Sequence, residues 1–123
     1  MSLVLVDTSV WIDHLHRRDE MLVPLLEANL VVGHPLVIGE LALGSIRERA
    51  TVLELLARLP QAPEASNDEV LTLIENRDLF GKGLSIVDVH LLASVLVAGD
   101  VRLFTRDRHL SGAADDAGVR WTG

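Results

Sequence analysis

Four carboxylates, Asp7, Glu40, Asp88 and Asp107, stand where strand-like segments end or helical segments begin. Asp7 directly follows the apolar run Leu3-Val4-Leu5-Val6, and Asp107 comes two residues after Val101-Arg102-Leu103-Phe104-Thr105. Asp88 falls in the first turn of the most apolar helical stretch, Ser85 to Ala98, and Glu40 in the early turns of another, Leu36 to Ile46. Carboxylates gathered at one place repel: at an effective dielectric of about 20, two unit charges 4 Å apart cost roughly 4 kcal/mol. Either some of them protonate or a cation neutralises them. Oxygen ligands without cysteine or a histidine pair select hard ions, Mg2+ or Mn2+. Such ions suit phosphoryl chemistry, because they orient and deprotonate a water and stabilise charge on the phosphate and the leaving oxygen. That chemistry needs no nucleophilic side chain, and the chain has no cysteine and no evident Ser/His/Asp arrangement.

Each acid also has a plainer reading. Asp7, ahead of Thr8-Ser9, fits a helix cap. Ser85-Ile86-Val87-Asp88 has capping-box spacing with Asp in place of Glu. Asp107 in Thr-Arg-Asp-Arg fits a turn residue beside an arginine, and Glu40 fits a solvent-facing position on a helix otherwise rich in Val, Ile and Leu. Their joint placement is what separates the two readings.

The elements that must position them follow from hydrophobic pattern. Leu3–Val6 is apolar on both faces, as in a central strand covered on both sides. Thr8-Ser9 can cap a helix carrying Val10, Trp11 and Leu15; a second helical stretch starts near Asp19-Glu20 and buries Leu22, Leu25 and Leu26. Leu30-Val31-Val32 is a short strand closed by Gly33-His34-Pro35, and Pro35 opens the Leu36–Ile46 helix. Arg47 to Leu59 is amphipathic and ends at Pro60. Gln61 to Ser66 is polar with a weak strand signal; Asn67 or Asp68 caps a helix running towards Leu79, and Gly81-Lys82-Gly83 breaks the chain before Ser85. Val101 to Thr105 is a strand, Arg106-Asp107-Arg108 a polar turn, and Val119-Arg120-Trp121 a last edge strand.

Strands alternating with helices imply an α/β fold: a short, mostly parallel central sheet in three layers, flanked by helices on both faces. Right-handed crossovers put the strand carboxyl ends on one edge, where ligands of open α/β sheets bind. Asp7 and Asp107 open onto that edge. The Ser85 helix leads into the Val101 strand, so its start, with Asp88, lies there too, as do the early turns of the Glu40 helix.

The chain of 123 residues has the size of one domain, spanning 1–123. Hydrophobic residues are 49% and charged residues 24% of it, enough for a buried core and incompatible with a disordered tail. The lack of cysteine excludes disulfides, thiolate metal sites and a cysteine nucleophile, and suits a reducing cytoplasm. Eighteen acidic against eleven basic residues give a net charge of −7, which argues against generic nucleic-acid binding but favours a basic protein partner or bound cations. The first residues read as a strand rather than a signal peptide, and no apolar run is long enough to span a membrane.

Val-Asp7-Thr8-Ser9-Val-Trp11, Glu40-Leu-Ala-Leu-Gly44, Ser85-Ile-Val-Asp88-Val-His-Leu-Leu-Ala93 and Thr105-Arg-Asp107, in this order, resemble the PIN-domain ribonucleases, and among them the VapC toxins of VapBC toxin–antitoxin pairs. The resemblance spans nearly the whole chain. It implies a PIN fold and a Mg2+- or Mn2+-dependent endoribonuclease, the toxin of a type II pair. Asp7 and Asp88 match the principal metal-binding aspartates, and Glu40 and Asp107 the acids that complete the site or hold its waters. Thr105 and Ser9 match the hydroxyls that orient those carboxylates. The resemblance further implies a homodimer and a cognate VapB-type antitoxin whose C-terminal segment covers the site. It leaves the RNA-binding residues and the RNA target open.

Arg106, Arg108, His109 and Lys82 flank the acids and could contact phosphate. Trp11 reads as core rather than a base-stacking platform, and His14, His16, His34, His90 and His109 show no metal-ligand spacing. Two alternatives carry different expectations. A PIN-fold interaction module with a vestigial site would not cleave RNA. A phosphoacceptor receiver domain would need an acidic pair after the first strand and a lysine after the last, whereas Asp7 stands alone and no lysine follows Trp121.

Overall fold

The computed structural model describes residues 2–123 and builds them on three parallel strands. Strand β1 (Leu3–Val6) lies in the middle, with β2 (Val31–Val32) on one side and β3 (Val101–Phe104) on the other. The register pairs Val4 with Val31 and Arg102, and Leu5 with Val32 and Leu103. Val4, Leu5 and Val6 are all buried, as a strand covered on both faces must be. The all-parallel sheet agrees with the α/β expectation.

Helices α1 (Thr8–His16) and α2 (Val23–Glu27) connect β1 to β2. Four helices connect β2 to β3: α3 (Pro35–Leu43), α4 (Arg49–Arg58), α5 (Asn67–Asn76) and α6 (Ile86–Ala98). The first connection moves one way along the sheet and the second moves back across it. Right-handed crossovers in opposite directions cover opposite faces. Helix α6 packs on β3 and is itself flanked by α5 and α7. Its Leu91, Leu92 and Val95 meet Leu5, Leu103 and Leu110 in the fully buried centre of the core.

Several local expectations shift. Helix α3 stops at Leu43 because Gly44 is extended, and α4 begins at Arg49 after Glu48 takes a left-handed conformation (φ 49°). Both boundaries fall inside the ranges expected from apolar spacing. The cap of α5 is Ser66, one residue earlier than expected, in a reciprocal capping box with Glu69. The stretch from Asp19 is a turn before α2, held by Asp19 Oδ1 accepting from the Met21 and Leu22 amides. Gln61 and Arg120 make single parallel bridges, to Gly33 and Leu103, rather than strands. The largest difference is a seventh helix, α7 (Arg108–Asp116), where only a polar turn was expected. Its buried side, Leu110, Ala113 and Ala114, has only one large apolar residue, although the charged residues opposite make the helix amphipathic. Among the described residues no helix is long and apolar enough to cross a membrane.

Candidate active site

Three helices begin at the carboxyl edge of the β1/β3 pair, and each presents an aspartate in or just before its first turn. Asp7 precedes α1, Asp88 is the third residue of α6, and Asp107 precedes α7. Helix N-termini carry partial positive charge, which favours carboxylates there and offsets part of their mutual repulsion. This is how the sequence can place several acids together and still fold.

Asp7 is 5% exposed. Although it occupies the cap position of α1, its carboxylate makes no cap bond to that helix. Its Oδ2 instead accepts from the Thr105 hydroxyl and the Ser9 hydroxyl, each at 2.8 Å. Thr105 is buried at the end of β3, and its Oγ1 also accepts from the Asp107 amide at 3.0 Å. One hydroxyl therefore ties the Asp7 carboxylate to the backbone that carries Asp107. Ser9 Oγ accepts from the Arg106 amide at 3.1 Å, which closes the same turn from the other side.

Asp88 and Asp107 do cap their helices. Asp88 Oδ2 accepts from the Ser85 amide at 2.9 Å while Ser85 Oγ accepts from the Asp88 amide. Asp107 Oδ1 accepts from the Leu110 amide at 2.9 Å. The plainer reading of these two acids is thus realised in full, but it uses one oxygen of each. The same holds for Asp7: one oxygen of each aspartate is fixed by protein donors, and the second makes no hydrogen bond among the described residues.

The three are within electrostatic reach of one another. Burial pushes the Asp88 carboxyl above the ordinary range, the bonds from Ser85 oppose this, and the charges of Asp107 and Asp7 add to the rise. Glu40 is exposed and joins from α3, with Oε1 accepting from the Thr8 hydroxyl at 2.6 Å. Thr8 follows Asp7 in the chain, so this bond ties the Glu40 side chain to the first turn of α1. The base of α3 is set by buried His34, whose Nδ1 accepts from the Leu36 amide while Nε2 has no partner among the described residues. Burial pushes its pKa down, so it is neutral and holds its proton on Nε2.

As the side chains stand, no three His, Asp or Glu residues among those described are close enough to hold a metal ion directly. The donor chemistry nevertheless fits one kind of ion. Carboxylate oxygens left without a protein donor suit Mg2+ or Mn2+, which are bound through one or two carboxylates and keep several waters. The chain has no thiol, and the one histidine beside the acids, His109, has its Nδ1 4.0 Å from Asp107 Oδ1.

Arg106 does not join the acids. Its guanidinium pairs with Asp13 (2.7 Å) and Asp19 (2.5 Å) and lies 5.3 Å from the Phe104 ring centroid. That pairing holds the Asp19 carboxyl down to about 2 and raises Arg106. A phosphate contact from Arg106 would have to break this cluster. Trp11 is buried, in line with its reading as core. The role of Thr8 was not legible in the sequence, because its partner lies 32 residues away.

A family model described as PIN domain matches residues 4–116. The chain is also 53% identical over 117 residues to Ribonuclease VapC32 of Mycobacterium tuberculosis, in the sequences of two strains. The alignment covers 95% of this chain and 94% of that protein.

Proposed function

Because the chain belongs to the PIN-domain family, among its VapC ribonucleases, we propose that it is the toxin of a type II toxin–antitoxin pair and a metal-dependent endoribonuclease. The observation that carries the reading is the set of three helix-start aspartates, each with one oxygen fixed and one free, with Glu40 linked to them through Thr8. Residues 1–123 act as one PIN domain in this reading. The alternative of a receiver domain falls with family membership, and a vestigial module is the outcome that would follow if the chain cut no RNA.

Asp7, Asp88, Asp107 and Glu40 would hold Mg2+ or Mn2+, directly or through its waters. Such an ion, when bound, neutralises phosphate charge and makes water more acidic. The chain's own residues supply orientation. Thr105 and Ser9 fix the Asp7 carboxylate so that its second oxygen points away from their hydroxyls. The Ser85 amide does the same for Asp88, and the Leu110 amide for Asp107. Glu40, the most solvent-facing of the four, is suited to holding a water through its free oxygen. Water is the attacking group in this reading, which fits a chain without cysteine and without a serine–histidine hydrogen bond among the described residues.

The proposed partners are RNA, a second copy of the chain, and a cognate VapB-type antitoxin. The acidic surface supports attraction to a basic antitoxin segment, and exposed apolar side chains such as Leu43, which is 91% exposed, offer area for protein contacts. A cytoplasmic site of action suits a chain without cysteine. Sequencing RNA 5′ ends after controlled expression tests the function. The expected result is a discrete set of new ends that the Asp7→Asn protein does not generate. Identical end profiles for the two proteins would refute it.

A further inference from the structure

A cleft of about 300 Å³ opens between the end of α5, the 81–83 loop and the exposed side of α7. Arg77, Lys82 and Arg108 line it with His109, and Asp116 is the one carboxylate there. In a chain of net charge −7 this is a local reversal of sign. The reversal has a simple origin. Of the eleven Lys and Arg residues, Arg18, Arg58 and Arg106 pair with carboxylates, while Arg49 and Arg102 donate to backbone carbonyls. Three of the six others face this one cleft. Cations held side by side repel unless an anion visits them.

The cleft is also built rather than incidental. Gly83 has φ +75°, and a Cβ there would come 3.0 Å from the His109 ring. The Lys82 loop therefore lies directly against the first turn of α7, the helix that Asp107 caps. The same loop runs on through Leu84 to Ser85 and Asp88. Both sides of the cleft thus lead, within a few residues, to the carboxylates of the candidate active site.

We propose that Arg77, Lys82 and Arg108 hold backbone phosphates of the RNA strand to one side of the bond that is cut. This rests on the ribonuclease reading above and adds to it a polarity: the strand is gripped on the α7 side, while on the α1 side Arg106 is already occupied by Asp13 and Asp19. Phosphate contacts of this kind fix register without reading sequence.

The test uses the full chain and one RNA that the parent protein cleaves. Lys82→Ala, Arg77→Ala and Arg108→Ala should each raise KM roughly threefold to tenfold, as for loss of one exposed charged contact, with a much smaller change in kcat. Each should also flatten the dependence of log(kcat/KM) on log salt by about 0.7, the single-strand value per phosphate. Fluorescence anisotropy of labelled RNA with the same changes made in Asp7→Asn protein should show the same loss of binding without any cleavage. Lys82→Arg and Arg108→Lys should restore most of it, and Arg120→Ala, which removes a cation outside the cleft, should not shift KM. Unchanged KM, binding and salt slope in the alanine variants would overturn the proposal while leaving the ribonuclease reading intact. Variants that weaken only an acidic protein partner would overturn it in favour of a protein interface. Failure of the parent protein to bind or cut any RNA would remove the ribonuclease reading first, and this proposal with it.

Discussion

Replacing Thr105 by valine removes one hydroxyl and leaves the shape of a buried side chain almost unchanged. In the folded protein that hydroxyl donates to Asp7 Oδ2 at 2.8 Å and accepts from the Asp107 amide at 3.0 Å. A bond to a charged group is worth about 1.5–3 kcal/mol. The Asp107 amide lies near the exposed rim and can turn to water, which lowers the cost of losing that bond. Valine leaves no cavity and suits a strand end, so the net loss of stability should be about 2 kcal/mol. The loss of orientation at Asp7 should matter more. Removing a group that orients a metal-binding side chain costs about 10–100-fold in metal affinity or activity. Initial rates of RNA cleavage across a Mg2+ series should therefore show a midpoint displaced upward by that factor in Thr105→Val. Thr105→Ser keeps the hydroxyl and should keep a midpoint near that of the parent, even if it melts lower. A valine variant with the parent's midpoint and rate would show that the hydroxyl does not position Asp7 for the ion.

Three other outcomes follow from the same geometry. Asp19→Asn should destabilise the fold through loss of the Arg106 pair. Its shift from 3.8 to about 2 is worth at most about 2.5 kcal/mol, which solvent around the pair reduces to about 1 kcal/mol. Because the folded carboxyl is depressed, that stability is full above the unfolded value of 3.8 and is lost as pH falls through about 2; urea titrations of both proteins should differ at pH 7 and converge towards pH 2. Asp88→Asn keeps an oxygen for the Ser85 amide and removes repulsion with Asp107 and Asp7, so it should melt at or above the parent temperature in scanning calorimetry while losing RNA cleavage. Gly39→Ala, in the interior of α3 where the added carbon meets nothing within 4 Å beyond its chain neighbours and the helix's own backbone, should stabilise the protein by about 0.5–1 kcal/mol in the same melts.

The parts of the fold legible in the sequence are those set by strong local chemistry. Leu3–Val6 could only be an interior strand, Pro35 and Pro60 mark real boundaries, and Ser85 opens α6 as its spacing with Asp88 required. Helix α7 was not read because its buried side holds one large apolar residue, Leu110, backed only by Ala113 and Ala114. The Ser66 cap was hidden by Asn67 and Asp68, which are equally good capping types. At the candidate site, topology alone brings Asp7, Asp88 and Asp107 to one edge. What no spacing could reveal is how the oxygens are divided. That depends on Thr105 reaching Asp7 across 98 positions of sequence, and on Thr8 reaching Glu40 across 32. The same limit applies to Arg106, whose neighbours in sequence gave no sign that Asp13 and Asp19 would claim it.

Mn2+ binding, followed by the paramagnetic loss of free-ion signal in electron spin resonance, tests most directly whether the separated acids share one cation. The parent protein should take up Mn2+, and Asp7→Asn, Asp88→Asn and Asp107→Asn should each bind it at least tenfold more weakly, with Glu40→Gln showing a smaller loss. Parent-like uptake by Asp88→Asn, in a protein that remains folded, would mean that its carboxylate only caps α6 and takes no part in holding the ion.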